Sequence, residues 1–356
     1  MNGAERRLLI ACGIGALAAI SGFLLAPRAL LQAYLAALLF WAALPIGALG
    51  WVMCEHVTPG DWGRPIHETL AGACRTLPAT GIAFLPILLA LPLLYPWAAP
   101  ATAARFADKA FWLTPWFLVL RTVLHFGIWS LLAFALLRRP RGGTWALGGI
   151  GLVVLVVTGS LAAVDWRLSL EPGFASSAYG LLFLMECGLE ALAFAILMVL
   201  LAPPFPSERQ RRILAAVLVG VVLLWAYVAF MQYLVIWSGD IPREADWYVK
   251  RAREPWLWLL WAATWLQGIV PFLALLLGSV RGSRRAMLVL CALILLGRLA
   301  DALWLTLPAF PDAGWGTLLL ALALVIGLGG AWLLLFLRLR RDEPVSLPAS
   351  SEVRHA

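Results

Sequence analysis

Lysine is almost missing from this chain: Lys109 and Lys250 are the only two. Charged residues of all kinds make up 13% of its 356 positions, against roughly a quarter in an ordinary soluble domain. Histidine is nearly as scarce. Of His56, His67, His125 and His355, only His125 falls within a long apolar run, which argues against a haem held between helices by two buried histidines. The five cysteines (Cys12, Cys54, Cys74, Cys187 and Cys291) form no CxxC pair, so neither a disulfide framework nor a cysteine-held iron–sulfur cluster is expected. There is no Walker loop, no GxGxxG after a strand and no HExxH. The residues therefore predict no metal site, no haem and no iron–sulfur cluster in this chain.

What remains is apolar. Hydrophobic residues reach 63% and the mean hydropathy is +0.89, more apolar surface than one water-soluble core can hide. Lipid must be the solvent, and an all-α integral membrane protein follows, with the bilayer as its first partner. The net charge of +8 is then read as arginine at a membrane surface and not as a nucleic-acid footprint, so no nucleic-acid partner is expected. A spanning helix needs about 20 apolar residues, and ten such runs are present: 8–26, 30–53, 78–98, 112–137, 145–164, 177–201, 212–236, 255–279, 285–307 and 315–337. The first follows Arg6 and Arg7 like a signal peptide but has no clear small-residue cleavage site, so it reads as a retained span. Residues 1–340 form one polytopic domain, and 341–356 a short polar tail expected to be disordered.

Basic residues orient the spans. With the N-terminus cytoplasmic, 17 of the 27 fall on the inner side, including those of RRPR and SERQRR. Eight fall on the outer side (Arg28, Arg105, Lys109, Arg167, Arg243, Lys250, Arg251 and Arg253), and Arg121 and Arg298 lie within spans. This bias predicts both termini inside. Many of the 19 tryptophans, such as Trp97, Trp112, Trp237 and Trp256, sit near span ends, where an interfacial belt accounts for them.

An ionisable side chain within a span costs ~2.5–3.5 kcal/mol on insertion scales, so each is a candidate site. Arg121 and His125 in FLVLRTVLHFGIW are four apart and share a helix face, where they could meet a carboxylate or a quinone carbonyl. The bland reading is a snorkelling Arg121 beside a backbone-bonded His125. Glu186 and Glu190 in LLFLMECGLEALAF also share a face, and two carboxylates so close must hold a proton unless a cation intervenes. A proton relay needs such a pair; an inward salt bridge to an arginine of another span is the alternative. Arg298 and Asp301, three apart in GRLADALWL, can pair within their helix. Gln232 and Gln267 can simply join helices, and Gly268 with Pro271 suggests a kink. Asp165 ends the fifth span, before the turn at Ser169, Glu171 and Pro172. A solvated loop explains it, yet it lies one helix away from Glu186 and Glu190 on the same side, which suggests one shared polar track.

Several separated stretches, SLAAVDWRLSLEPGFASSAYG, WAYVAFMQYLVIWSGDIPREADWYVKR, GRLADALWLTLPAF and LGWVMCEHVTPGDWGRPI, together resemble the ActF subunits of alternative complex III, a bacterial quinol:electron-acceptor oxidoreductase. The likeness runs from about Gly50 to Phe310. Asp165-Trp166 with Ser169-Leu170 matches a DW-x-x-SL signature, Gln232, Trp237 and Gly239 match QxxxxWxG, and Arg298 with Asp301 matches RLxD. Glu186 and Glu190 depart from the pattern, which is less acidic there, and Arg64 interrupts the stretch Thr58–Ile66. The resemblance implies an NrfD-like fold of ten helices, two four-helix bundles plus two extra helices, in a bacterial inner membrane. It also implies a second NrfD-like subunit, an iron–sulfur subunit and c-type cytochromes as partners, and quinol as the diffusible cofactor. On that reading Asp165, Glu186, Glu190, Arg298 and Asp301 are proton-path candidates, and Arg121, His125, Trp166 and Gln232 are candidate quinone contacts. A structural anchor that binds no quinone productively is the competing expectation. A secondary transporter is weaker, since no matching pair of broken helices marks two halves.

Overall fold

The computed structural model describes residues 3–140 and 144–341. The expected disorder of the tail, and the inner-side placement of Arg141 and Arg354, concern positions outside the described residues. Every regular element described is helical. Among the described residues, nine helices are long and apolar enough to cross a membrane, or ten if a bent pair between residues 67 and 89 forms one span. The chain is thus built as an all-α, multi-pass membrane protein.

The helices are α1 (Gly3–Leu25), α2 (Pro27–Val57), the short α3 (His67–Cys74), α4 (Leu77–Ala83), α5 (Leu85–Leu89) and α6 (Leu91–Leu94), then α7 (Pro115–Leu137), α8 (Trp145–Trp166), α9 (Tyr179–Leu201) and α10 (Glu208–Gly239). They continue with α11 (Pro242–Arg251), α12 (Trp256–Ala263), α13 (Val270–Leu276), α14 (Gly278–Gly282), α15 (Arg284–Thr306) and α16 (Trp315–Arg341). Proline sets several starts. Pro27, Pro115 and Pro242 each occupy the first turn of a helix, where a missing N–H goes unnoticed. Ser207 caps α10 by accepting from the Gln210 backbone N–H, while the Gln210 side chain accepts from the Ser207 N–H.

Two expectations need correction. The third span is not one helix over 78–98. Pro78, Pro86 and Pro92 each restart the chain, giving α4, α5 and α6, and α3 meets the following segment at 41°. The eighth span is not simply kinked at Gly268 and Pro271: a π-helical turn, Thr264–Ile269, joins α12 to α13.

α2 is the central post. Its residues from Ala33 to Val52 are almost all buried, against α9, α16, α8 and α3. Close approach to α9 depends on Gly47, where an added Cβ would lie 1.9 Å from the Cys187 carbonyl oxygen. Without water to drive helices together in lipid, such small residues let backbones pack. α7 packs on α4 and α8. α9 packs on α10 and α15, and α12 on α15, while α1 lies along α16. Short connections alternate helix direction, so the fold has two ends. The upper end carries Trp166, Tyr179, α11, Trp256 and Thr306. The lower end carries Val57, Leu137, Leu201, Glu208 and Arg284, with Arg284 donating to the Leu200 carbonyl.

Candidate functional site

The residue that follows α8 and the upper halves of α9 and α15 bring five buried ionisable residues together: Arg167, Glu186, Glu190, Arg298 and Asp301. Arg167 Nη1 lies 2.7 Å from Glu186 Oε2. Arg298 is the hub. Its Nη1 reaches Asp301 Oδ2 at 2.5 Å, its Nη2 reaches Glu186 Oε2 at 3.3 Å and its Nε lies 3.7 Å from Glu190 Oε2. The spacing in sequence produces this directly: residues 186 and 190 share one face of α9, and 298 and 301 one face of α15. The π-helical turn adds Gln267, whose Oε1 accepts from Arg298 Nη1 at 3.4 Å. The helices meet here because residue 297 is glycine; a Cβ would stand 2.7 Å from the Gln267 backbone nitrogen. Arg298, from another span, lies against both Glu186 and Glu190, the ion-pair arrangement expected as one alternative for them.

Charge within this cluster does not balance. Two guanidinium groups face three carboxylates. Glu190 is the least supported, for neither of its oxygens has a hydrogen-bond partner and its arginine contact is the longest. An unbalanced charge this deep costs several kcal/mol unless a proton neutralises it. Neutralising Glu190 would leave the shorter ion pairs of the cluster in place.

Asp165 does not join that cluster, and the single shared track expected from sequence is corrected. Among the described residues no ion pair connects Asp165 with Glu186 or Glu190. Arg121 of α7 takes Asp165 through Nε at 2.7 Å and Nη2 at 2.8 Å, and Trp112 Nε1 donates to Oδ1 at 3.0 Å. The cause is helical geometry. Asp165 and Arg167 are two residues apart and so do not share a face; one addresses α7 and the other α9. Nor does Arg121 snorkel. It is 6% exposed and lies over the rings of Trp112 at 4.0 Å and Phe117 at 4.2 Å. His125 is buried and stacked on Trp129, with Trp166 edge-on to it, and the Trp166 N–H donates to Thr122 Oγ1 at 3.1 Å.

Gln232 stands elsewhere, on α10. Its Oε1 accepts from Ser176 at 3.1 Å, and its Nε2 donates to the Tyr248 hydroxyl at 3.4 Å. Gln232, Tyr248 and Asp301 line a common cavity of about 200 Å³. The ion cluster thus has one carboxylate, Asp301, bordering open space. Burial raises the Tyr248 hydroxyl to about 12, so it remains a neutral phenol that can donate or accept.

Two arginines counted from sequence only as outer-surface charges prove structural. Arg167 is a core member of the cluster. Arg251 is 1% exposed and lies 2.7 Å from Glu171, donates to the carbonyls of Trp247 and Leu305, and stacks on the Trp247 ring at 3.6 Å. Burial pulls the Arg251 guanidinium down from its ordinary value, opposed by Glu171. At the lower end, Glu55 and His67 approach to 2.5 Å, a contact with no sequence signal beyond two polar residues flanking a loop. Among the described residues, no three His, Cys, Asp or Glu side chains come together in a way that could hold a metal ion.

Fold and site define a class: a polytopic helical membrane protein with a buried, charge-unbalanced ion cluster beside an intramembrane cavity. Comparison with models of known families and with curated proteins finds no match to this chain.

Proposed function

We propose that this chain is a membrane subunit of a respiratory quinol:electron-acceptor oxidoreductase of the alternative complex III type, and that it carries protons and no electrons. The observation that carries the reading is the cluster Glu190–Arg298–Glu186–Arg167 with Asp301, which extends from the depth of α9 to the upper end. Glu190 lies eleven residues into α9, roughly 16 Å along its axis, so the cluster spans the upper half of a bilayer. By the arginine bias the upper end is the outer one. Quinol oxidation releases two protons, and a chain of buried carboxylates in the outer half of the spans suits that release. On this reading the iron–sulfur and cytochrome partners carry the redox centres.

The test is made on the assembled complex, purified in mild detergent from cells carrying Glu190→Gln or Glu186→Gln. Protons released per electron, measured in liposomes, fall by about half or more, while the haem content of the preparation stays constant. Unchanged stoichiometry, or a chain that purifies with no redox partner, overturns the assignment. A second reading, a structural anchor, is favoured by one specific observation: the Arg121–Asp165–Trp112 group is closed, with both carboxylate oxygens bonded. That group holds α7 to α8, and we assign it this positioning role and no part in the proton path.

A further inference from the structure

The cavity at Asp301 is walled by aromatic residues. Trp225, Tyr233, Tyr248 and Trp304 line it together with Asp301 and Gln232, and no arginine or lysine does. The rings of the wall touch one another. Tyr233 and Tyr248 meet edge to face with centroids 5.4 Å apart, and Tyr248 and Trp304 stand 6.3 Å apart. Asp301 is the open member of the ion cluster. Its side chain keeps 7% of its surface accessible, against 1% or less for Glu186, Glu190 and Arg298. Arg298 holds it through Oδ2, and behind it two guanidinium groups face three carboxylates. A carboxylate backed by net negative charge therefore borders a space enclosed by aromatic rings.

The other polar groups of the wall are committed to protein. Gln232 accepts from Ser176 and donates to the Tyr248 hydroxyl. Trp304 Nε1 donates to the Arg251 carbonyl at 3.1 Å. Trp225 Nε1 is closed off from any water-sized molecule, so Trp225 borders the cavity through its ring carbons. The space thus offers an occupant negative charge and ring surface. An anion fails against Asp301 with no cation in the wall to hold it. A neutral apolar occupant leaves the carboxylate uncompensated. A metal ion needs several ligands, and among the described residues no three His, Cys, Asp or Glu side chains gather to supply them. A cation with its charge spread over methyl groups meets both demands, because aromatic faces attract a positive centre within about 6 Å and their carbons pack against the methyls. The volume, about 200 Å³, is below the range usual for drug-sized ligands, roughly 300–1,000 Å³, so the occupant is small. Asp301 lies five residues before the end of α15, roughly 8 Å along its axis, and Tyr233 is 45% exposed. The cavity is therefore near the upper surface and not at the centre of the spans.

We infer that this cavity binds a small alkylated ammonium ion, its charge against Asp301 and its methyl groups against Trp225, Tyr233, Tyr248 and Trp304. The same group exists free in solution, as in choline, and as the headgroup of phosphatidylcholine. A lipid phosphate would find no arginine or lysine in the wall, so the free ion is the occupant the cavity suits. Its binding supplies from the cavity side the positive charge that the cluster lacks. Nothing in this inference depends on the respiratory reading.

The full-length chain is melted in nanodiscs of phosphatidylglycerol while tetramethylammonium chloride replaces sodium chloride at constant ionic strength. A ligand of the folded state raises the midpoint, and the concentration dependence gives its affinity. Tetramethylammonium is expected to raise the midpoint above its value in sodium chloride, and the bulkier tetrabutylammonium is not. Asp301→Asn weakens binding about tenfold or more, through loss of the opposing charge. Tyr233→Leu weakens it about three- to tenfold, and Tyr233→Phe leaves it within about twofold, because the ring carries the attraction. Helix content by circular dichroism identifies a variant that has failed to fold; should Asp301→Asn do so, the Tyr233 pair, at a part-exposed position, carries the test. In nanodiscs of phosphatidylcholine an unchanged effect supports the free ion, and an effect lost there but present in phosphatidylglycerol assigns the same site to the lipid headgroup. Equal midpoints in the two chlorides, or a rise that survives Tyr233→Leu undiminished, overturns the inference. Proton release by the assembled complex is a separate measurement, so failure here leaves the respiratory reading standing, and failure there leaves this site standing.

Discussion

At the scale of the residue, the molecule turns on Arg298. Among the described residues it is the only cation touching both Glu190 and Asp301, and it shares Glu186 with Arg167. Removing a buried cation leaves its anions uncompensated, a loss of about 3–5 kcal/mol. Arg298→Met should therefore destabilise the chain by that order, read as unfolding in mixed micelles. Glu190→Gln should cost less than about 1 kcal/mol, because it removes the unmatched charge and breaks no hydrogen bond. Equal losses for the two variants would mean that Glu190 is held as tightly as Asp301, and the cluster could not exchange a proton there. Sequence alone showed much of this arrangement: four- and three-residue spacings put Glu186 with Glu190 and Arg298 with Asp301. It did not show Arg167 or Arg251. Counting basic residues treats an arginine at a span end as solvated, and nothing local to DWR or VKR says that the side chain turns back into the bundle.

At the scale of the element, apolar run length placed most spans within a few residues, since a helix in lipid has no other way to satisfy its backbone. Run length failed where proline spacing and helix register decide. Three prolines six to eight apart divide the third span, and the π-helical turn at 264–269 replaces the expected proline kink, placing Gln267 on Arg298. The α2–α9 contact offers a direct check on packing. Alanine at Gly47 would drive its Cβ into the Cys187 carbonyl, which is backbone and cannot rotate away. Gly47→Ala should lower stability by about 1–3 kcal/mol or more and move α9, with it Glu186 and Glu190. Gly220, mid-helix in α10 with no atom within 4 Å of an added Cβ, is the control: Gly220→Ala should stabilise by about 0.5–1 kcal/mol. Thermal melts in one detergent compare the two. A harmless Gly47→Ala would show that α2 and α9 are not pressed together as described.

At the scale of the whole molecule, function depends on which end faces out, and burial sharpens the sequence argument for it. Arg167 and Arg251 are enclosed and neutralised by Glu186 and Glu171, so only six of the eight basic residues assigned to the upper side remain available to the surface. The asymmetry toward the lower end is larger than a count along the chain suggests, and it favours the lower end facing the cytoplasm. In a version with its five cysteines changed to alanine, Arg253→Cys at the upper end should react with a membrane-impermeant maleimide in intact cells, and Arg209→Cys at the lower end only after lysis. Both positions are exposed, so reactivity reports side and not burial. The reverse pattern would turn the ion cluster toward the cytoplasm. On the proposed reading, protons released from quinol would then return to the side that respiration must empty of them. The helices and ion pairs would be unchanged, but the chain could not release protons outward through them.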